Sequence, residues 1–267
     1  MAAKGWCVIL ACRSIERATA AWQDILRDNP EATGQVMQVD MASPASIKAF
    51  ARQLSETHRC IDALVNNAAI FDITQQQAKK NGDGVETIWA TNHLGSVALT
   101  EALLPLLKSA DKAKILTISS KGLLATPALR VDLGDPEFSR RPFRVSTAYY
   151  QSKRAQEIYT IWLATQVDQA SITVNCLRVP AVRVDLDRMP NLTPLMRWAY
   201  SHKSRHAMDS RQAATLYVRL LTEEAFDACT GKIFNEHLQP IHPGTYTTRD
   251  ANQEALMRIT RAYLDRP

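Results

Sequence analysis

The chain has 267 residues, 46% of them hydrophobic, and a formal net charge of +5 from 32 Lys and Arg against 27 Asp and Glu. That length and apolar content suffice for one globular domain over 1–267 with an ample core, and they exclude an intrinsically disordered chain. The basic excess is dispersed. Its densest groupings, Arg140-Arg-Pro-Phe-Arg144 and His202-Lys-Ser-Arg-His206, lack the interleaved aromatics of nucleic-acid readers, so no nucleic-acid partner is expected.

In chain order, a first strand is expected over 6–11. A helix follows over 15–28 with Ala18, Trp22, Ile25 and Leu26 on one side. Residues 35–40 read as the next strand. Ser43 and Pro44 open a helix as N-cap and first helical position, turning Ile47, Phe50 and Leu54 inward. A strand over 63–66 runs into an Asn-Asn-Ala turn, and a helical region spans 85–107 with Pro105 close to its end. The strand at 115–118 ends in the hydroxyls of Ser119 and Ser120. A helix then runs from a cap at Ser146 or Thr147 to about 167, and a strand covers 172–177. Strands alternating with helices argue for an α/β fold, a doubly wound parallel sheet of Rossmann-like type.

The five cysteines are an odd number without a Cys-x-x-Cys, and Cys12 and Cys176 fall in apolar strands. Reduced thiols and a cytoplasmic setting are expected. No segment has the apolar length to span a bilayer, and no signal peptide is read at the start.

The chemistry centres on Tyr149 and Lys153, four apart and therefore one turn over the other on a single helix face. A free tyrosine titrates near ~10 and is a poor base at neutral pH. A lysine ammonium ~4 Å away contributes up to ~4 kcal/mol at an effective dielectric of ~20, or up to ~3 pKa units. Such a tyrosine exchanges a proton with a substrate oxygen at physiological pH. The bland alternative is an exposed pair on a surface helix, and the pair's company decides between them.

That company is Leu10-Ala-Cys-Arg13, Asp62-Ala-Leu-Val-Asn-Asn-Ala-Ala69, Asp83-Gly84-x-Glu86, Asn92-His-Leu-Gly95, Lys114-Ile-Leu-Thr-Ile-Ser-Ser120 and Thr230-Gly-Lys-Ile-Phe234. Together these motifs cover nearly the whole chain. It resembles the short-chain dehydrogenase/reductase family, most closely its retinol-dehydrogenase-like branch. The resemblance implies Tyr149 as general acid/base. Lys153 would depress its pKa and hydrogen-bond the nicotinamide ribose. Ser120 would hold the substrate oxygen, and Asn92 would fix a water linking Lys153 to solvent. Ser120 also stands where such sheets bind ligands, at the carboxyl end of a parallel strand.

A carboxylate just after the 6–11 strand would select NAD; Arg13 stands there instead and can grip a 2′-phosphate, so NADP is expected. By resemblance Asp40 contacts adenine, while Asn67, Ala68, Tyr149, Lys153 and Pro180 complete the cofactor side. Ala69 and Ala181 stand where the family usually has glycine. Residues about 186–210 would form a substrate lid, with contact to a membrane surface as a further reading. His202 and His206 have a metal-ligand spacing but no third ligand, and no metal is expected.

Chains of this family begin with a strand, a Thr-Gly-x-x-x-Gly-x-Gly turn and a helix; none of the nine glycines here forms that turn. The expectation is an N-terminally incomplete sheet, shortened or degenerate, with a gap between the strands of Ala11 and Leu64. The function expected is an NADP-dependent oxidoreductase interconverting a carbonyl and an alcohol on a small apolar substrate, as a monomer or a homo-oligomer. The alternatives are a non-catalytic interaction module of this fold and, less favoured, a nucleotide-sugar epimerase or dehydratase.

Overall fold

The computed structural model describes residues 1–183, 192–194, 197 and 207–266. The alternation read from the sequence is present as β1 (Val8–Cys12), α1 (Ile15–Asp28), β2 (Gly34–Gln38), α2 (Pro44–Thr57) and β3 (Ala63–Asn66). A π-helical turn (Trp89–Leu94) runs into α3 (Gly95–Lys108), followed by β4 (Ala113–Ser120), α4 (Val145–Gln166) and β5 (Ile172–Val179). Beyond these lie α5 (Ser210–Thr222), β6 (Ile233–Phe234), β7 (Pro240–Ile241), α6 (Thr245–Thr248) and α7 (Asp250–Leu264).

Local chemistry accounts for most boundaries. The Ser14 and Ser43 hydroxyls accept from Arg17 N at 3.3 Å and Ser46 N at 3.2 Å, capping α1 and α2. The cap expected for α4 is corrected. Ser146 and Thr147 lie inside the helix, and Arg144 precedes it without a side-chain cap. Val145, packed with Ile70 and Phe143 against Ile88, Phe138 and Ala148, draws the helix start forward.

β3, β4, β5 and β6 pair in parallel in that order, with β7 antiparallel at the edge. Side chains alternate across this sheet. Ile115, Ile172 and Val174 join α2, α3 and α4 in the larger core, whereas Leu116, Ile118 and Leu177 pack with Leu220 and Leu221 of α5. Helices therefore cover both faces, the doubly wound arrangement.

The sheet is in two parts. Among the described residues β1 pairs only with β2, and β3 pairs only with β4, so one edge of each has no strand beside it. A cavity of about 420 Å³ lies between, lined by Val8, Ile9 and Cys12 on one side and Ala63, Leu64 and Asn66 on the other. This is the gap expected between the strands of Ala11 and Leu64. All five cysteines are free thiols. Among the described residues no helix is long and apolar enough to cross a membrane. His202, His206 and most of the segment about 186–210 lie outside the described residues.

Candidate active site

The carboxyl ends of β3, β4 and β5 carry Asn67, Ser120 and Pro180, and α4 lays Tyr149 and Lys153 against them. Ser120 stands close enough to the Tyr149 phenol to lower its pKa by hydrogen bonding. Its own Oγ accepts from Gly122 N at 3.2 Å. Lys153 is buried, with its Nζ 5.7 Å from the Tyr149 ring centroid. One of its three donors goes inward, to the carbonyl of Ile118 at 2.7 Å. Tyr149, Ser120 and Lys153 are thus brought together.

The electrostatics correct one expectation. The Tyr149 phenol is not depressed; it is pushed up to about 12 by burial, with Tyr150 and Tyr217 acting in the same direction against Ser120. Phe71 stacks on the Tyr149 ring at 4.4 Å and shares in that cover. Lys153 is itself pushed down to about 8 by burial, against the opposing pull of Cys176 and Glu157. At neutral pH the phenol therefore holds its proton.

Asn92 sits inside the π-helical turn, an irregularity often found at functional sites. It is fully buried, and its side chain bridges two segments. Its Oδ1 accepts from Ile70 N at 2.8 Å, while its Nδ2 donates to Ile70 O at 3.2 Å and to Ser152 Oγ at 3.0 Å. Its backbone carbonyl accepts from Ser96 Oγ at 2.9 Å. These bonds tie the Asn67–Phe71 stretch to α4 next to Lys153.

Arg13 and Asp40 follow β1 and β2 at their carboxyl ends. Arg13 is exposed, and its carbonyl accepts from Gln38 Nε2 at 3.3 Å. Asp40 Oδ1 accepts from Ala42 N at 2.9 Å. Asn67 and Ala68 line the cavity between the two sheets, and Asn67 Oδ1 accepts from Tyr217 OH at 3.4 Å. Were a dinucleotide bound as the resemblance implies, Arg13 and Asp40 would meet one of its ends and Tyr149 and Lys153 the other. Its pyrophosphate is not matched. The cavity between β1 and β3 is walled by side chains and no glycine lines it, whereas a phosphate cradle needs close backbone approach.

Sequence reading missed Phe71 and Tyr217. Neither stands in a motif or at a telling spacing, and both reach Tyr149 only because distant segments fold together.

Fold and site together define the class of doubly wound α/β proteins that gather a serine, a tyrosine and a lysine at the carboxyl ends of parallel strands. A sequence model of the family described as short chain dehydrogenase matches residues 1–129. Human retinol dehydrogenase 13 is 33% identical over 188 residues, covering 70% of this chain and 55% of that protein. The chain thus spans little more than half the length of that relative. An uncharacterised protein from Mycobacterium paratuberculosis matches in structure with a TM-score of 0.71 at 22% identity, covering 98% of this chain and 85% of the other. A short chain dehydrogenase from Escherichia coli CFT073, complexed with NADPH, matches with a TM-score of 0.63 at 19% identity, covering 86% and 85%. The chain belongs to the short-chain dehydrogenase/reductase family, in its retinol-dehydrogenase-like branch.

Proposed function

We propose that this site is the proton-transferring half of an NADP-dependent oxidoreductase interconverting a carbonyl and an alcohol on a small apolar substrate. The observation that carries the reading is the Tyr149 phenol beside Ser120, with buried Lys153 on the same face of α4. Tyr149 gives its proton to the oxygen of a carbonyl being reduced, and Ser120 donates to that oxygen as negative charge develops. Lys153 supplies positive charge behind the phenol as the proton leaves. A nicotinamide, when bound, supplies the hydride.

Arg13 supports the choice of NADP over NAD, as does the NADPH held by the Escherichia coli relative in fold. Phe71 and Tyr150 against Tyr149, and Leu124, 58% exposed just after Ser120, offer apolar walls for the substrate. The name of the human relative agrees with an apolar alcohol as one member of the pair.

The test is NADPH consumption by this chain at millimolar cofactor with a panel of apolar aldehydes and ketones. Turnover that vanishes in Tyr149→Phe supports the reading. No turnover with any of them favours the second reading, a non-catalytic interaction module of this fold. The specific observation behind that second reading is the missing pyrophosphate cradle at the split in the sheet.

A further inference from the structure

The α4 face that carries Tyr149 and Lys153 continues one turn further to Glu157, which is fully buried. Its Oε1 accepts from Ser119 Oγ at 2.9 Å and from Arg178 Nε at 2.6 Å, and its Oε2 accepts from Arg178 Nη2 at 2.8 Å. Arg154 Nη1 lies 3.7 Å from Oε2 and donates to Pro243 O at 3.0 Å. Ser119 and Arg178 are partners in the β4–β5 register, so both point to the same face of the sheet. Each also adjoins the site, since Ser119 precedes Ser120 and Arg178 lies two residues before Pro180.

Folding energetics do not account for this arrangement. A buried ion pair repays its desolvation only in part, and an apolar pair of similar volume is often as stable or more so. What a forked arginine–carboxylate contact supplies is fixed geometry. Here that geometry joins α4 to the ends of β4 and β5, the elements that must stay in register for Tyr149 to meet Ser120.

Charge points the same way. The groups facing Lys153 are Tyr149 and Glu157 from α4, the Ile118 carbonyl from β4 and Cys176 from β5. Glu157 is the carboxylate of this set, and it stabilises the Lys153 ammonium against burial.

We propose that Glu157, clamped by Arg178, is a positioning residue of the site: it locks α4 to β4 through Ser119 and keeps Lys153 charged behind Tyr149. This rests on the proton-transfer reading above, but the state of Lys153 is measurable without turnover.

Two variants test it. Glu157→Met/Arg178→Met removes both charges at similar volume and should fold. Ser119→Ala removes only the link to β4. Lysine side-chain NMR of this chain, with Lys153→Arg to assign the signal, reads the Lys153 titration directly. The midpoint should move to lower pH in the double variant. In an active preparation, kcat should fall between about tenfold and a hundredfold in both variants. The alkaline limb of the double variant's pH profile should move with Lys153. An unmoved Lys153 midpoint in the folded double variant overturns the proposal, whether or not the wild type turns over. Wild-type kcat in Ser119→Ala overturns it too. Absence of wild-type turnover overturns instead the oxidoreductase reading and leaves the Lys153 midpoint to decide on Glu157.

Discussion

Tyr149 loses only a hydroxyl in Tyr149→Phe, and the ring keeps its stack on Phe71. In an active preparation this variant should abolish turnover while NADPH affinity stays within a few-fold; kinetics and a binding titration check both, and turnover near wild type would remove Tyr149 from its role. His93 makes a different prediction at the same scale. It is fully buried, its Nε2 is 2.8 Å from Thr260 Oγ1, and its ring packs against Trp89 at 4.5 Å. Burial pushes its pKa down to about 3. The unfolded chain therefore takes up a proton near ~6.5 while the folded chain does not. The stability contribution is complete above that pH and is lost as pH falls towards 3, by up to about 1.4 kcal/mol per pH unit. His93→Gln should flatten this acid slope in urea unfolding followed across pH. An unchanged slope would assign the acid sensitivity to other groups.

Among the elements, the start of α3 is closely confined. A Cβ on Gly95 would lie 2.1 Å from the backbone carbonyl oxygen of Met41, in the connection between β2 and α2. Backbone on both sides leaves nothing flexible to yield. Gly95→Ala should cost more than about 2 kcal/mol in urea unfolding. Gly82, whose Cβ would meet nothing within 4 Å, should tolerate alanine within about 0.5 kcal/mol. Equal costs would show that the α3 junction gives way. The glycine of the Asn92-His-Leu-Gly95 motif thus has a packing reason, and the π-helical turn before it sets Asn92 against Ile70 and Ser152.

For the whole molecule, the split sheet governs both stability and ligand binding. Among the described residues β4 is paired on both edges, whereas β1 is paired only with β2. Amides of β1 should exchange with solvent well before those of β4, because the β1–β2 unit opens below the global unfolding free energy. Hydrogen exchange with equal protection in both strands would make the two sheets one cooperative unit. The same split removes the pyrophosphate cradle. Hydrogen bonds to charged phosphate contribute about 1.5–3 kcal/mol each, so NADPH should bind these 267 residues only weakly, short of micromolar affinity. Calorimetric titration checks this, and micromolar binding would show that Arg13, Asp40 and the Tyr149–Lys153 end suffice without a glycine turn.

What repeats locally is legible in the order of residues alone. Helix periodicity sets Tyr149 and Lys153 on one face of α4, Ser43-Pro44 opens α2, and the alternation of apolar runs predicts a parallel sheet with helices on both faces. That order also located the gap between the strands of Ala11 and Leu64, through a missing glycine turn. The rest depended on residues far apart in the chain. Asn92 meets Ile70 and Ser152, Lys153 meets the Ile118 carbonyl, and Glu157 meets Ser119 and Arg178 only after α4 packs on β4 and β5. The raised pKa of Tyr149 arose there as well. A charge four residues away is legible from spacing, but the desolvation that raises the phenol comes from packing, in which Phe71 shares, and no local pattern encodes that.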